Sequence, residues 1–323
     1  MHRRACLIAG AAAVGACLHG GNTAAAPAEA PEFVGLDGWL NTPSALSIAG
    51  LRGKVVLVDF WTYSCINCRR TIPYLNRWQA EYGPRGLQVI GIHTPEFRFE
   101  HARPNVAADV EALGIRYPVA QDNAFATWKA WGNRAWPGFY LLDQQGRIVL
   151  LREGEGYASE MEGAIRGLLG LAGDRRTRHR GDDPDLSRIG TPEMYFGGLH
   201  PSPQERAQSP MQGVREYSFA QAPNPRLHAY ALDGSWEREA EPLVLRSARG
   251  GMRLRFSAAK VHLVASAPAP TRVQAWIDDS EPNSIEIGRP TLYTLFDGES
   301  PGEHLLSLQA DGPGLSLFSA TFG

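Results

Sequence analysis

Residues 55–68, VVLVDFWTYSCINC, constrain the fold of this chain more than any other segment. The apolar run at 55–58 has no polar interruption, which is typical of a central strand that is buried on both faces. The chain then enters a Cys-x-x-Cys motif, and Cys65 falls at the expected start of a helix that continues to residue 82. The segment therefore predicts a buried strand, a turn and a helix, with two thiols at the turn.

The two thiols are suited to thiol–disulfide exchange. A thiol at a helix N-terminus faces free backbone N–H groups and the positive end of the helix dipole, and both favour the thiolate. Cys68 lies one helical turn further on, close enough to attack a mixed disulfide formed on Cys65. We therefore predict that Cys65 is the nucleophile and Cys68 the resolving thiol. Their reversible disulfide would be the redox group, with no other cofactor and no metal.

A zinc site and an inert structural bridge are the alternatives for this cysteine pair. Zinc needs about four ligands, and the sequence has neither a second Cys-x-x-Cys motif nor histidines of zinc-binding spacing near this one. A bridge across two residues would stabilise little, because the loop that it closes is so short. Redox chemistry is therefore the favoured interpretation.

The other two cysteines, Cys6 and Cys17, lie in an N-terminal segment with the features of a secretory signal. A basic start, MHRR, precedes an apolar stretch that is short for a membrane span. Residues 14–17, VGAC, resemble a lipoprotein box, which would leave Cys17 acylated; the alternative is cleavage in the Ala-rich stretch at 24–30. We expect a periplasmic or otherwise extracytoplasmic protein.

A chain of 323 residues predicts about two domains. After a signal peptide and tether at 1–30, strands and helices alternate over 31–172, which predicts an α/β layer with a β-hairpin at one edge. Residues 173–192 are charged and contain proline, as in a linker. Short apolar and alternating runs over 193–323 predict an all-β, jelly-roll-like sandwich. The formal charge of −2 predicts no binding to nucleic acid.

The region from about 33 to 171 resembles thioredoxin-fold proteins. Asp59 precedes Cys65 by six residues, as in the VDFW motif of thioredoxins, and Pro137 falls where they carry a cis-proline. The insertion between LQVIGIH and YPVAQD resembles the TlpA and ResA branch, whereas WTYSCINCRRTIPYL, GIHTPEF and GEGYASE are similar to DipZ-type proteins. The resemblance implies a thioredoxin domain followed by a carbohydrate-binding-module-like domain. It also implies protein thiol or disulfide substrates and a DsbD- or CcdA-type membrane electron donor, which we expect to be a separate polypeptide.

The resemblance assigns roles to three residues around the cysteines. Asp59 would be a carboxyl group with raised pKa that passes protons to or from Cys68 through water. Pro137 would follow a cis bond, leaving the Trp136 backbone free to pair with substrate. Glu96 matches a glutamate near the cysteines of ResA-like proteins. For each residue the alternative is a purely structural role.

The sequence also gives expectations for the residues around this motif. We predict that Trp61 and Tyr63, like Trp136, bind substrate. His93 is expected to be packed or solvated rather than to tune the thiolate. The two arginines that follow Cys68 are expected to be solvated on the helix surface.

Two other functions stay open. In the first, the chain is a sugar- or protein-binding module and the cysteine pair is a regulatory switch. Its aromatic residues Trp236, Trp276, Tyr293 and Phe296 would then stack on sugar rings, although at strand spacing such residues more often fill a core. The second is a peroxidase, which GIHTPEF loosely suggests, but no cysteine follows this Thr-Pro pair.

Overall fold

The computed structural model describes residues 28–171, 185, 189–199, 213–221 and 224–323. The N-terminal signal prediction, with Cys6 and Cys17, lies outside these residues, as does most of the predicted linker. In the described part of the chain, no helix combines the length and apolar character that a membrane span requires.

The N-terminal half of the described chain alternates strands and helices around one sheet, as predicted. The apolar runs 55–61 and 87–93 become buried strands, and the hairpin at 138–153 closes one edge. In chain order the elements are β1 Gly38–Leu40, β2 Val55–Trp61, α1 Ile66–Tyr82, β3 Leu87–His93, α2 Arg103–Ala112, β4 Val119–Gln121, α3 Ala126–Ala130, β5 Gly138–Leu142, β6 Ile148–Glu153 and α4 Ala158–Leu168.

The strand that carries the site lies inside this sheet. The strand order is β1-β4-β3-β2-β5-β6, with β2 parallel to β3 and antiparallel to β5. All seven residues of β2 are buried, because alternate side chains enter two apolar clusters on opposite faces of the sheet. The end of β2 and the end of β3 therefore lie side by side, and the Cys-x-x-Cys turn begins at that edge.

The C-terminal part is all-β and antiparallel, which confirms the predicted class. Its strands are β7 Met194–Tyr195, β8 Val214–Tyr217, β9 Ala229–Arg238, β10 Leu243–Leu245, β11 Arg249–Ser266, β12 Thr271–Ile277, β13 Asn283–Ile287, β14 Thr291–Asp311 and β15 Ser316–Phe322.

The two longest strands, β11 and β14, organise this domain. They pair from Arg249 opposite Asp311 to Ala265 opposite Thr291, with shifts of register between 258 and 262. Such irregularities bend a strand and increase its twist, so β9 pairs with the first half of β11 and β15 with the second. Trp236 lies in the enclosed core, as the core interpretation of the aromatic residues predicts.

Candidate active site

The two thiols lie at the start of α1 in different environments. Cys65 is the N-cap residue of this helix, and its Sγ accepts a hydrogen bond from the Cys68 backbone N–H at 3.4 Å. Cys65 is partly exposed, whereas Cys68 is fully buried. Burial raises the pKa of the Cys68 thiol, and the hydrogen bond to Cys65 and the charges of Cys65 and Asp59 raise it further. This arrangement gives one accessible thiol and one buried thiol that is harder to ionise.

Asp59 lies in β2 with no exposed surface. Among the described residues, neither of its carboxylate oxygens has a hydrogen-bond partner, and the Tyr117 hydroxyl has none either. Burial raises the pKa of Asp59 well above its ordinary value. It also raises the pKa of Tyr117, as do the charges of Asp59 and Cys68. Asp59, Tyr117 and Cys68 therefore form a buried group of titratable side chains, in which Tyr117 was not predicted.

Trp136 and Pro137 directly precede β5, the strand that pairs with β2. The bond between them is cis, as predicted. Pro137 is buried, and the partly buried Trp136 donates from Nε1 to the Thr94 carbonyl at 3.0 Å. The following residue, Gly138, has no room for a side chain, because an added Cβ would lie 2.2 Å from Asn133 Oδ1. Close packing thus fixes the backbone at the start of β5.

Trp61 and Tyr63 have no exposed surface in the structure. Both rings pack against His93, Trp61 edge-on at 5.2 Å between centroids and Tyr63 stacked at 5.6 Å. The structure therefore favours a packing role for these two residues over the substrate contact predicted from the sequence. His93 is also fully buried, and burial lowers its pKa to about 3, so it packs as a neutral ring.

A buried carboxylate that the sequence analysis missed, Glu100, holds the turn before Cys65. Its Oε1 accepts hydrogen bonds from the Ser64 hydroxyl at 2.6 Å and the Ser64 backbone N–H at 3.3 Å. Its Oε2 accepts from the backbone N–H groups of Glu96 at 2.6 Å and Phe97 at 3.0 Å. Glu100 therefore connects the loop that carries Glu96 to the residue preceding Cys65. Its position in the sequence, within FRFEH, gives no signal for this role.

Arg69 and Arg70 are not solvated, contrary to the expectation. The Arg69 side chain is 18% exposed and donates to Asp109 Oδ1 at 3.0 Å and to Thr291 Oγ1 at 2.7 Å. Arg70 donates to Glu155 Oε1 at 2.9 Å and to the Phe322 carbonyl at 3.0 Å. Both arginines join α1 to the β domain, because their acceptors include residues of β14 and β15. The sequence could not show this, since the β-domain partners Thr291 and Phe322 are more than 200 positions away.

A cleft of about 800 Å³ opens beside the first turn of α1. Ile66 and Arg70 line it on one side, and the β-domain residues Lys260, His262 and Asp297 line it on the other. The cleft therefore lies between the domains, and its lining includes Ile66, the residue that follows Cys65 in the sequence.

Comparison with known proteins gives matches for both parts of the chain. Residues 27–151 match the AhpC/TSA family, and residues 191–323 match the family described as thioredoxin-like C-terminal domain. Protein DipZ of Mycobacterium tuberculosis is 35% identical over 302 residues, which is 91% of this chain and 43% of DipZ. Thiol-disulfide oxidoreductase ResA of Bacillus anthracis is 28% identical over 138 residues, 43% of this chain and 75% of ResA. This chain thus spans less than half the length of its DipZ relatives.

Proposed function

Because this chain belongs to the thioredoxin-like thiol–disulfide oxidoreductases, we propose that it reduces disulfides of other proteins outside the cytoplasm. The contrast between the two thiols carries the proposal: Cys65 is partly exposed at a helix N-cap, and Cys68 is fully buried behind it. A peroxidase is not favoured, because no cysteine follows Thr94 and Pro95 in the sequence.

The proposed reaction is two successive exchanges. The Cys65 thiolate attacks a substrate disulfide, and one substrate sulfur leaves as a thiolate that takes up a proton. Cys68 then loses its proton and attacks Sγ of Cys65, which releases the second substrate sulfur and forms the Cys65–Cys68 disulfide. Two electrons have passed to the substrate. Asp59, whose charge acts on Cys68, would accept the Cys68 proton through water, because burial raises the pKa of Asp59 and makes its carboxylate a better proton acceptor.

The cycle requires a dithiol donor to reduce the Cys65–Cys68 disulfide again. We propose a membrane thiol carrier of the DsbD or CcdA kind, acting on a protein that reaches the extracytoplasmic side through its N-terminal signal. The basic and apolar N-terminal pattern supports this location. The cleft lined by Ile66 supports a polypeptide substrate, because it leaves about 800 Å³ of open space beside the residue that follows Cys65.

Trapping of mixed disulfides tests this proposal. In the full chain, Cys68→Ser leaves an attacking thiol without its resolving partner, so covalent complexes should accumulate through Cys65. Cys65→Ser should capture almost none, and the double variant serves as the background. The complexes, separated without reductant and identified by mass spectrometry, should include an extracytoplasmic cysteine-containing protein and a membrane thiol carrier.

Two outcomes would contradict the proposal in different ways. Better capture by Cys65→Ser would reverse the assignment of nucleophile and resolving thiol. Capture by neither variant would favour the alternative in which the cysteine pair is a regulatory switch in a binding protein.

A second proposal concerns the β domain, where one predicted aromatic residue borders a groove. Trp276 lines a hollow of about 330 Å³ together with Phe219, Asp233, Arg253 and Gln309. An aromatic ring among polar groups suits stacking on a sugar ring, so we propose this groove as a carbohydrate site. Trp276→Ala should abolish calorimetric binding of neutral oligosaccharides, whereas Val214→Ala, an exposed apolar change outside the groove, should not. Equal binding by the two variants would exclude this groove.

A further inference from the structure

The β domain covers one side of the first turn of α1. Ile66, the residue after Cys65, packs against the apolar cluster that contains Phe318 of β15. One turn further along the helix, Arg70 donates to the Phe322 carbonyl at 3.0 Å. A polypeptide that brings a disulfide to Cys65 from this side therefore also meets the β domain.

The cleft of about 800 Å³ is lined by these two residues of α1 and by residues of the β domain. Two cations of its lining already have carboxylate partners, because Arg70 pairs with Glu155 at 2.9 Å and Lys260 pairs with Asp297. The carboxylates in the lining are Asp185, Asp297 and Glu299. An anionic ligand is thus disfavoured, whereas an uncharged chain leaves the ion pairs intact.

The histidine in this lining carries a buried polar atom that is available for a further hydrogen bond. His262 is 5% exposed, and its Nδ1 lies 3.0 Å from Thr294 Oγ1, whereas its Nε2 has no partner among the described residues. Thr321 lies opposite His262 in β15, and its buried hydroxyl likewise has no partner in the described part of the chain. Such groups are costly unless a ligand or water bonds them.

A peptide backbone has the hydrogen-bonding groups that His262 requires. Burial and, to a lesser extent, the charge of Arg70 lower the pKa of His262 to about 4, so its ring is neutral near neutral pH. A neutral imidazole has one N–H donor and one acceptor nitrogen. A backbone offers both N–H and C=O groups, so it can bond to Nε2 in either tautomer. Such a contact depends on the presence of a polypeptide rather than on its sequence.

We propose that this cleft binds the backbone of the substrate polypeptide beside the attacked cysteine, and that His262 is the β-domain residue that selects protein disulfides over small ones. The inference rests on the proposed function and deepens it, because it assigns part of substrate recognition to the β domain. The backbone contact predicted for Trp136 lies in the thioredoxin domain, so the two contacts would hold the substrate from different domains.

The experiment compares a small disulfide and a peptide disulfide as oxidants of the reduced full chain. The small one is hydroxyethyl disulfide, and the other is a short uncharged peptide whose central cysteine is linked to mercaptoethanol. Acid quenching followed by mass spectrometry gives the rate constant for each, and the ratio of the peptide rate to the small-disulfide rate measures selection. The wild type should react faster with the peptide.

Two variants should lower this ratio roughly fivefold, the size expected from one lost hydrogen bond. Asp297→Trp fills the cleft from a position whose side chain is 63% exposed. His262→Phe removes Nε2 but retains an aromatic ring. Asp311→Trp is the matched control and should keep the wild-type ratio, because Asp311 lies in the same strand, is 68% exposed and also pairs with a cation of β11, Arg249.

The proposal is overturned if Asp297→Trp leaves the ratio unchanged or slows both disulfides equally, or if Asp311→Trp lowers the ratio as much. An unchanged ratio in His262→Phe overturns the role of His262. Should Asp297→Trp fail to fold, His262→Phe decides by the same ratio. Failure of the wild type to react with either disulfide would instead count against the proposed function.

Discussion

The carboxyl group of Asp59 is retained in the sheet at an energetic cost. It is fully buried, and among the described residues no hydrogen bond compensates its two oxygens. Burying a charge without a partner is expensive, so such a group stays protonated over a wide pH range. A carboxylate of raised pKa close to Cys68 is useful for catalysis, because it can accept the proton that the resolving thiol loses at each turnover.

Asp59→Asn should therefore stabilise the protein, and more so at higher pH. The pKa of Asp59 in the folded chain lies above the ordinary value of 3.8. Its contribution to stability is thus fully present below about pH 4 and is lost as pH rises through the folded value. Asparagine has no such loss, so the gain over the wild type should grow to on the order of 2 kcal/mol by about pH 8. Urea unfolding at both pH values measures it.

The same variant should slow formation of the Cys65–Cys68 disulfide from the mixed disulfide near neutral pH. Asp279→Asn, at an exposed position, is the control for both measurements and should match the wild type. A stability gain that is equal at both pH values, or an unchanged pH–rate profile, would reduce Asp59 to a structural residue.

The sequence reveals the residues of the active site only where a short motif determines their relative positions. Cys65, Cys68 and Asp59 lie within ten residues of one another, and one strand followed by one helix determines their arrangement. Tyr117 joins them only because β4, which begins two residues later, pairs in parallel with β3. Tyr195 contacts Glu96 only because a second domain folds against the first. Local patterns carry no information about contacts of that kind.

At the scale of elements, hydrogen bonds to Glu100 connect the loop after β3 to the turn before α1. The short 3₁₀ helix Arg98–His101 places Glu100 beneath this loop, where one carboxylate accepts four hydrogen bonds. Burial raises the pKa of Glu100, and the donors of Ser64, Phe97 and Glu96 are among those that oppose this shift. The position of the turn at Cys65 thus depends on an acid 35 residues further along the chain.

Even the conservative change Glu100→Gln should disrupt these hydrogen bonds. A glutamine amide presents an NH₂ group to one of the two pairs of donors, so at least one buried N–H loses its acceptor. We expect a loss of stability on the order of 2 kcal/mol, together with altered alkylation kinetics at Cys65. The matched control is Glu111→Gln on the exposed side of α2, which should stay within about 0.5 kcal/mol of the wild type. Equal urea midpoints for the two variants would show that the carboxylate is dispensable.

The predicted elements agree with the structure where an apolar run has clear ends. The apolar run LQVIGIH coincides with β3, and the predicted helix after the cysteines extends to Tyr82. In contrast, the short runs MRLRF and KVHLVAS look like separate strands in the sequence but belong to the single strand β11. A bulge interrupts the alternation of side chains without ending the strand, so the pattern alone suggests a break.

At the scale of the whole molecule, the two domains share a buried interface. Phe97 and Phe99 of the thioredoxin domain pack edge-on against Phe318 of β15, at 5.4 and 4.8 Å between centroids. Val264 and Leu292 complete this apolar cluster. The β domain is therefore a fixed part of the active-site surroundings. The change from an α/β pattern to an all-β pattern revealed both domains in the sequence. It did not reveal this interface, because the sequence pattern of an interface residue does not differ from that of an ordinary surface or core residue.

A charge network centred on the buried Asp109 joins the domains beside this apolar cluster. Asp109 of α2 has a side chain that is only 2% exposed, and it pairs with Arg69 of α1 and Arg289 of the β domain. Thr291 donates to Asp109 Oδ1 at 3.2 Å, and Arg69 also donates to the Leu292 carbonyl at 3.4 Å. Removal of Asp109 would leave the largely buried Arg69, at 18% exposed, without its carboxylate, whereas Arg289, at 44% exposed, keeps contact with water.

Asp109→Ala should consequently destabilise the protein by on the order of 3 kcal/mol, because it leaves two arginines without their shared carboxylate. The lost stability should come mainly from the contact between the domains. Calorimetry should therefore resolve two unfolding transitions in the variant, whereas the two transitions of the wild type should overlap more. Asp311→Ala is the control: it removes an exposed ion pair with Arg249 inside the β domain, and such pairs contribute about 0–1 kcal/mol. If Asp109→Ala lowers stability while the two transitions stay merged, the network supports the thioredoxin domain alone. If it changes neither, the apolar cluster is sufficient to hold the domains together.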